Sequence, residues 1–167
     1  MKRFRHPTRE GFLFKASLAF DVVFWLFSLP ALLRVHTIPS LLKRVTAGKT
    51  EQGVPAANLN DAVGIVTRIC NLRLFRTRVF PKLCLRQSLA LYRTLKQMGY
   101  PVEIHFGVRK EDKTLSGHCW VTLGGEALAD TAPNGIFKAV YSYPTAGRAL
   151  CESENKIFMK GHLHHQS

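Results

Sequence analysis

The chain has 167 residues, of which 46% are hydrophobic and 21% are charged, so it is long enough for one domain with a real core. These fractions are close to globular averages and exclude collagen, low-complexity and wholly disordered classes. The 24 lysines and arginines against 11 acidic residues give a net charge of +13. This charge favours an acidic partner, which can be an acidic peptide, nucleic acid or an anionic membrane surface.

The cysteines are too few for a disulfide scaffold, and their spacing contains neither a CxxC pair nor a zinc-ligand pattern. They are Cys70, Cys84, Cys119 and Cys151. We therefore predict mostly free thiols in a reducing cytoplasm, with no metal and no cofactor.

An apolar stretch follows a basic amino terminus and covers residues 11–35. Lys15 and Asp21 interrupt it, and its longest charge-free run, residues 22–33, is shorter than the roughly 20 residues that span a bilayer. No small-residue cleavage site follows, so the pattern does not indicate a signal peptide. We predict a helix that is buried in the core or lies at the membrane interface, peripheral to the inner membrane. Basic flanks beside aromatic residues suit the second alternative.

The domain organisation predicted from composition is simple. Residues 48–60 are polar and rich in Gly, Pro and Asn, which indicates a loop between helices. Residues 1–150 are predicted to form a single domain. Residues 151–167 are predicted to form a frayed tail whose histidines bind nothing fixed.

A basic run lies between Asp61 and Glu103, where the chain has no acidic residue. Its basic members are Arg68, Arg73, Arg76, Arg78, Lys82, Arg86, Arg93 and Lys96. The run fits either a solvated helix face or a positive rim around Cys84. It lacks interleaved aromatic residues and any nucleic-acid-binding signature, so we expect no nucleic-acid partner.

A well-bounded helix begins at Cys84. Apolar residues recur at helical spacing after it, Gly99 suits the position just past the helix, and Pro101 cannot continue it. Cys84 is therefore predicted to lie in the first helical turn. The partial positive charge and unpaired N–H groups of a helix N-terminus favour a thiolate and can also donate to an oxyanion.

Alternating patterns after this helix predict a small antiparallel sheet, with a polar turn at 109–116 and a hairpin at Gly124-Gly125. The predicted strands cover residues 102–108, 117–123, 126–130 and 136–143. Helices followed by a helix packed on such a sheet define an α+β fold.

A nucleophilic thiol needs a base on a rigid neighbouring element and a third group that orients the base. His118 on the second strand fits the base, and Asp130 fits the orienting group. A plain two-residue turn would point Asp130 to the face opposite His118. We therefore predict a three-residue connection, residues 124–126, or an equivalent bulge, which places both on one face.

Each of the three residues also has an ordinary structural interpretation. A lone cysteine is often a small buried hydrophobe, and a strand histidine is often structural. Asp130 can cap the turn that follows it, and Asn134 is the next candidate for the orienting group.

Three segments resemble a known family: CLRQSLALY from Cys84, GVRK from Gly107 and GHCWV from Gly117. The chain resembles the transglutaminase-like maturation peptidases of lasso-peptide biosynthesis, over roughly residues 60–130. The resemblance implies a papain/transglutaminase-like core in which Cys84 is the nucleophile, His118 the general base and acid, and Asp130 the orienting carboxylate. Cys119 stands where the family more often has alanine, and we expect it to face away from His118 without loss of chemistry.

The resemblance also implies the reaction and the partners. The expected reaction removes the leader from a ribosomally made precursor peptide through a thioester. The expected partners are a separate leader-recognition protein and a lactam-forming synthetase. Two alternatives remain open, namely acyl transfer to an amine by the same triad and a basic, non-catalytic subunit that binds peptide or membrane and in which Cys84 is merely packed.

Overall fold

The computed structural model describes residues 9–47, 59–77, 79–111, 114–129 and 136–144. Four helices precede a sheet: α1 (Arg9–Val35), α2 (Ile38–Thr46), α3 (Leu59–Cys70) and α4 (Leu83–Gln97), with a 3₁₀ turn at Arg73–Arg76. The strands are β1 (Val102–Glu111), β2 (Thr114–Leu123), β3 (Glu126–Leu128) and β4 (Lys138–Tyr143). The α+β prediction is confirmed, while most of the predicted loop at 48–60 and the predicted tail at 151–167 lie outside the described residues.

The sheet is antiparallel with the strand order β3-β2-β1-β4. The polar turn predicted at 109–116 is wrong in extent, because β1 continues to Glu111 and β2 begins at Thr114. The alternation of β1 and β2 sends Ile104, Cys119 and Val121 into the core, where all three are buried. Helix α4 packs on this side of β1 and β2.

Helix α4 begins and ends as its sequence predicts. Pro81 and the N-cap residue Lys82 precede it. At the other end Gly99 has a φ of 86°, and the Tyr100 N–H donates to the Leu95 carbonyl at 2.9 Å. This is the left-handed ending that favours glycine, so the helix stops where the sheet begins.

Helix α1 is the one described helix long and apolar enough to cross a membrane, by length and composition, with a mean hydropathy of 1.9 over its most apolar window. Only 22% of that window is buried. Val22, Trp25, Leu26 and Leu29 form its buried face, which packs on α3 and α4. The prediction of a buried helix is therefore correct for one face of α1 only.

Three residues of the basic run belong neither to a solvated helix face nor to a positive rim around Cys84. Arg86 and Lys96 are buried, and Arg93 forms a bidentate salt bridge with Asp21 of α1. The Arg86 guanidinium donates to the Cys70 carbonyl at 2.6 Å and to the Phe75 carbonyl. These cations hold the helices together, whereas Lys82 is exposed beside Cys84.

Candidate active site

Cys84 lies in the first turn of α4 and is partly exposed. The first helical hydrogen bond of this end runs from the Arg86 N–H to the Lys82 carbonyl, at 3.0 Å. The preceding N–H groups therefore have no acceptor within the helix, and that of Leu85 donates to the Cys84 sulfur. The helix start thus supplies a donor and a positive end of its dipole to this thiol.

The Cys84 thiol contacts two consecutive residues of β2, His118 and Cys119. Alternation along a strand sends such neighbours to opposite faces. The Cys84 sulfur nevertheless contacts both residues, so strand alternation alone does not decide which side chains of β2 reach it.

These contacts lower the pKa of the Cys84 thiol and raise the pKa of the Cys119 thiol. The hydrogen bond with Cys119 has the largest effect and lowers the pKa of Cys84. Burial raises this pKa, while the hydrogen bond and the charge interaction with His118 lower it further. The resulting pKa of Cys84 is about 5. The pKa of Cys119 is raised by its hydrogen bond with Cys84 and by burial. Burial raises the pKa of Cys70 to about 11. Cys84 is therefore the described thiol that is suited to act as a nucleophile at neutral pH.

An aromatic column fixes the plane of the His118 ring. It stacks on Trp120, with centroids 6.2 Å apart and planes at 18°, and contacts Phe137 at 5.0 Å. On its other side Trp120 stacks on His105 at 5.4 Å. The ring of His105 is held in turn by hydrogen bonds of 2.8 Å to Ser142 and Thr122. His118 is thus held beside Cys84 by ring contacts with Trp120 and Phe137.

Gly107 makes room for this column. It pairs with His118 across β1 and β2, and a Cβ added there would lie 2.8 Å from the Trp120 ring. We expect Gly107→Ala to lower the free energy of unfolding by about 1–3 kcal/mol, because the indole must shift in a packed site. Urea denaturation measures this effect.

Gly64 is the matched control for that substitution. It lies in α3 with nothing within 4 Å of an added Cβ, so Gly64→Ala should raise stability by roughly 0.5–1 kcal/mol. Equal urea midpoints for the two variants would contradict the role assigned to Gly107.

A groove of about 360 Å³ opens beside the thiol. Besides Cys84, His118 and Cys119, apolar side chains from α2, α4, β1 and β4 line it: Ile38, Leu85, Phe106, Val108 and Val140. Lys82 lies at the same groove. The arrangement can accept an extended peptide with apolar side chains and place a carbonyl carbon against the sulfur.

Cys119 is the site residue whose contact the sequence analysis missed. It is buried, and the Ser88 hydroxyl donates to its carbonyl at 2.9 Å, but its thiol contacts Cys84. The expectation that cysteine at this position causes no loss of chemistry stays a prediction. The one sequence signal for the contact was the position of Cys119 next to His118.

Replacing Cys119 by alanine should raise the pKa of Cys84, because the variant loses the hydrogen bond that lowers it most. The rate of Cys84 alkylation by iodoacetamide, followed against pH by mass spectrometry, should then rise at a higher pH than in the parent chain. Cys70→Ala is the control, and superimposable profiles for the Cys119 variant and the parent would refute the role of this contact.

The predicted three-residue hairpin connection is wrong. The register pairs Leu123 with Glu126, so Gly124 and Gly125 alone form the turn, both with positive φ. Strand β3 then ends at Leu128, and Ala129 has a φ of 61°. The two-residue turn overturns only the three-residue connection. The equivalent bulge, and with it the face that Asp130 shares, stays a prediction, because Asp130, like Asn134, lies outside the described residues.

The described part of the chain contains no cluster of three or more His, Cys, Asp or Glu side chains that could hold a metal ion.

The fold and the site define this chain as an α+β protein with a cysteine at the start of a helix. The helix packs on a small antiparallel sheet, and the cysteine contacts a histidine of that sheet. Residues 25–142 match the model of the transglutaminase-like superfamily, and the chain belongs to that superfamily. The superfamily commonly uses cysteine-dependent catalysis and includes cysteine peptidases and acyltransferases. No curated protein and no solved structure matches the chain.

Proposed function

We propose that this chain is a cysteine peptidase that removes the leader from a ribosomally made precursor peptide in lasso-peptide-type maturation. The observation that carries the catalytic part is the contact of the Cys84 thiol with the His118 imidazole at a helix start, where the pKa of Cys84 is about 5. The resemblance of the segments around Cys84, Gly107 and His118 to the lasso-peptide maturation peptidases supports the substrate class.

In the proposed reaction the Cys84 thiolate attacks the carbonyl carbon of the last leader residue. The C–S bond forms as the C–N bond breaks, and protonated His118 gives its proton to the amine of the departing core peptide. The Cys84 backbone N–H at the start of α4 would stabilise the oxyanion that forms in each step. Water then attacks the thioester carbon and transfers a proton to His118. The C–S bond breaks, so the Cys84 thiolate is regenerated and the leader is released as a carboxylic acid.

The groove beside Cys84 supports a peptide substrate rather than a small polar one. Its lining is mainly apolar and it remains open on one side, so a chain can enter without threading. We propose that Asp130 orients His118 from the segment after β3, and that a separate recognition protein delivers the leader. A lactam-forming synthetase would take the released core peptide.

The test incubates the purified chain and the recognition protein with the short precursor peptide encoded beside its gene. Mass spectrometry should show free leader and free core, and the Cys84→Ala chain should show neither. Hydroxylamine added during turnover should convert the thioester to a leader hydroxamate. An uncleaved precursor, with Cys84 reduced and the recognition protein bound, would refute the proposal.

The same experiment separates hydrolysis from acyl transfer. With a primary amine present, a leader that ends mainly in a carboxylic acid supports the peptidase. A leader that ends mainly in an amide would show that the thioester is passed to amines and would replace hydrolysis by acyl transfer.

A further inference from the structure

Helix α1 has two apolar faces, and the described part of the chain covers only one of them. Val22, Trp25, Leu26 and Leu29 follow the i, i+3, i+4, i+7 pattern and are buried. The opposite side of the helix carries the exposed apolar side chains of Leu13, Phe20 and Phe24, and at its edge Phe27 is half-exposed and packs on Phe75 and Phe80. Phe20 is 75% exposed and Phe24 66%. An ordinary surface helix would place polar residues there.

The charges of α1 are paired with neighbouring helices, although both side chains stay partly exposed. Lys15 forms a salt bridge with Asp61 of α3 at 3.0 Å, and Asp21 forms its bidentate salt bridge with Arg93 of α4. These are the only two charged residues between positions 11 and 33. The Ser28 hydroxyl donates to the Phe24 carbonyl, so it too is satisfied within the helix. The outer face is therefore without charge from residue 11 to residue 33, over about six turns.

We propose that the outer face of α1 lies on the surface of an anionic lipid bilayer, with the helix parallel to the membrane plane. This proposal does not depend on the proposed function. Phenylalanine and leucine side chains on such a helix bury themselves at the boundary of headgroups and acyl chains.

The packing of α1 favours a helix lying on the membrane over one crossing it. Asp21 and Arg93 hold the middle of the helix to α4, and the Arg93 guanidinium lies over the Trp25 ring at 5.6 Å. A spanning orientation would break both contacts and place Asp21 in hydrocarbon. An in-plane orientation keeps the buried face on the protein and gives the outer face to lipid.

The charge of the chain favours lipid with an anionic headgroup. The net charge is +13. Three exposed basic residues come after the apolar face in the sequence, at the end of α1 and in α2: Arg34, Lys43 and Arg44. The sequence before α1 adds Lys2, Arg3 and Arg5, and Arg9 is the first residue of the helix. Each basic residue near an anionic surface strengthens binding. An apolar anchor and a group of basic residues together give stable attachment to the membrane.

Vesicle co-sedimentation of the full chain tests the proposal. Binding should be strong to phosphatidylcholine vesicles that contain about one-third phosphatidylglycerol and at least about tenfold weaker to pure phosphatidylcholine. The Phe20→Ser, Phe24→Ser double variant should bind the anionic vesicles at least about tenfold less well. Leu115→Ser is the control, because Leu115 is 71% exposed on β2, away from α1.

Two further measurements make each outcome decisive. The double variant should keep the thermal unfolding midpoint and the Cys84 alkylation rate of the parent, so a loss of binding is not a loss of fold or of the thiol site. Absence of vesicle binding by the parent, or equal binding by parent and double variant, would overturn the proposal. Self-association of the parent in sedimentation velocity that the double variant abolishes, without vesicle binding, would assign the face to a protein interface instead.

Discussion

Replacing Cys84 by alanine is expected to reduce leader cleavage by at least about a thousandfold, because the variant loses the atom that forms the thioester. The fold should persist, since Cys84 is partly exposed in the first turn of α4 and alanine is a good helix residue. Single-turnover cleavage of the precursor, followed by mass spectrometry, measures the loss.

Cys70→Ala is the matched control for this experiment. Cys70 is a fully buried thiol at the end of α3, and burial raises its pKa to about 11, so it has no part in the chemistry. Its variant should cleave at close to the parent rate at temperatures where both are folded. Cleavage by the Cys84 variant at a rate similar to that of the Cys70 variant would remove Cys84 from the mechanism.

Arg86→Met is expected to lower the free energy of unfolding by about 2–4 kcal/mol. Arg86 is 2% exposed, and its guanidinium donates to carbonyls of Cys70, Phe75 and Pro81. It therefore ties the end of α3, the 3₁₀ turn and the segment before α4 to one another. Each buried carbonyl left without a donor costs roughly 1–3 kcal/mol, and removal of the buried charge offsets part of the sum.

Thermal unfolding checks this prediction, with an expected fall of roughly 5–15 °C for a chain of this size. Arg73→Met is the control, because Arg73 lies on the same 3₁₀ turn but is exposed. The control should change the midpoint little. Equal midpoints for the two variants would show that the buried guanidinium does not hold this region together.

The elements that position Cys84 could be predicted from the sequence because their signals are local. Pro81 and Gly99 bound α4, and helical spacing between them fixes the turn on which Cys84 lies. The alternating pattern predicts the two long strands, although in β2 residues of both faces are buried from Cys119 to Thr122. The helix and His118 could therefore be assigned to neighbouring elements before any coordinates.

The features that could not be predicted depend on contacts between distant segments. Nothing local to Arg86 or Arg93 says that one is buried on carbonyls and the other paired with Asp21. The hairpin register depends on a two-residue turn at Gly124-Gly125, which the pattern fits as well as a longer connection. The approach of Cys119 to Cys84 depends on how α4 packs against β2, which local patterns do not specify.

The pH dependence of Cys84 alkylation tests the central claim most directly, because it measures whether helix start, His118 and Cys119 act on one sulfur. As the pH rises, the thiol should lose its proton with a midpoint near 5, since the pKa of Cys84 is lowered to about 5. Its reaction with iodoacetamide should therefore be fast and nearly constant above about pH 6.5. His118→Ala should move the midpoint upward, because both the hydrogen bond and the charge interaction with His118 lower this pKa. A midpoint near 8.5 in the parent chain, unchanged in the His118 variant, would contradict the account.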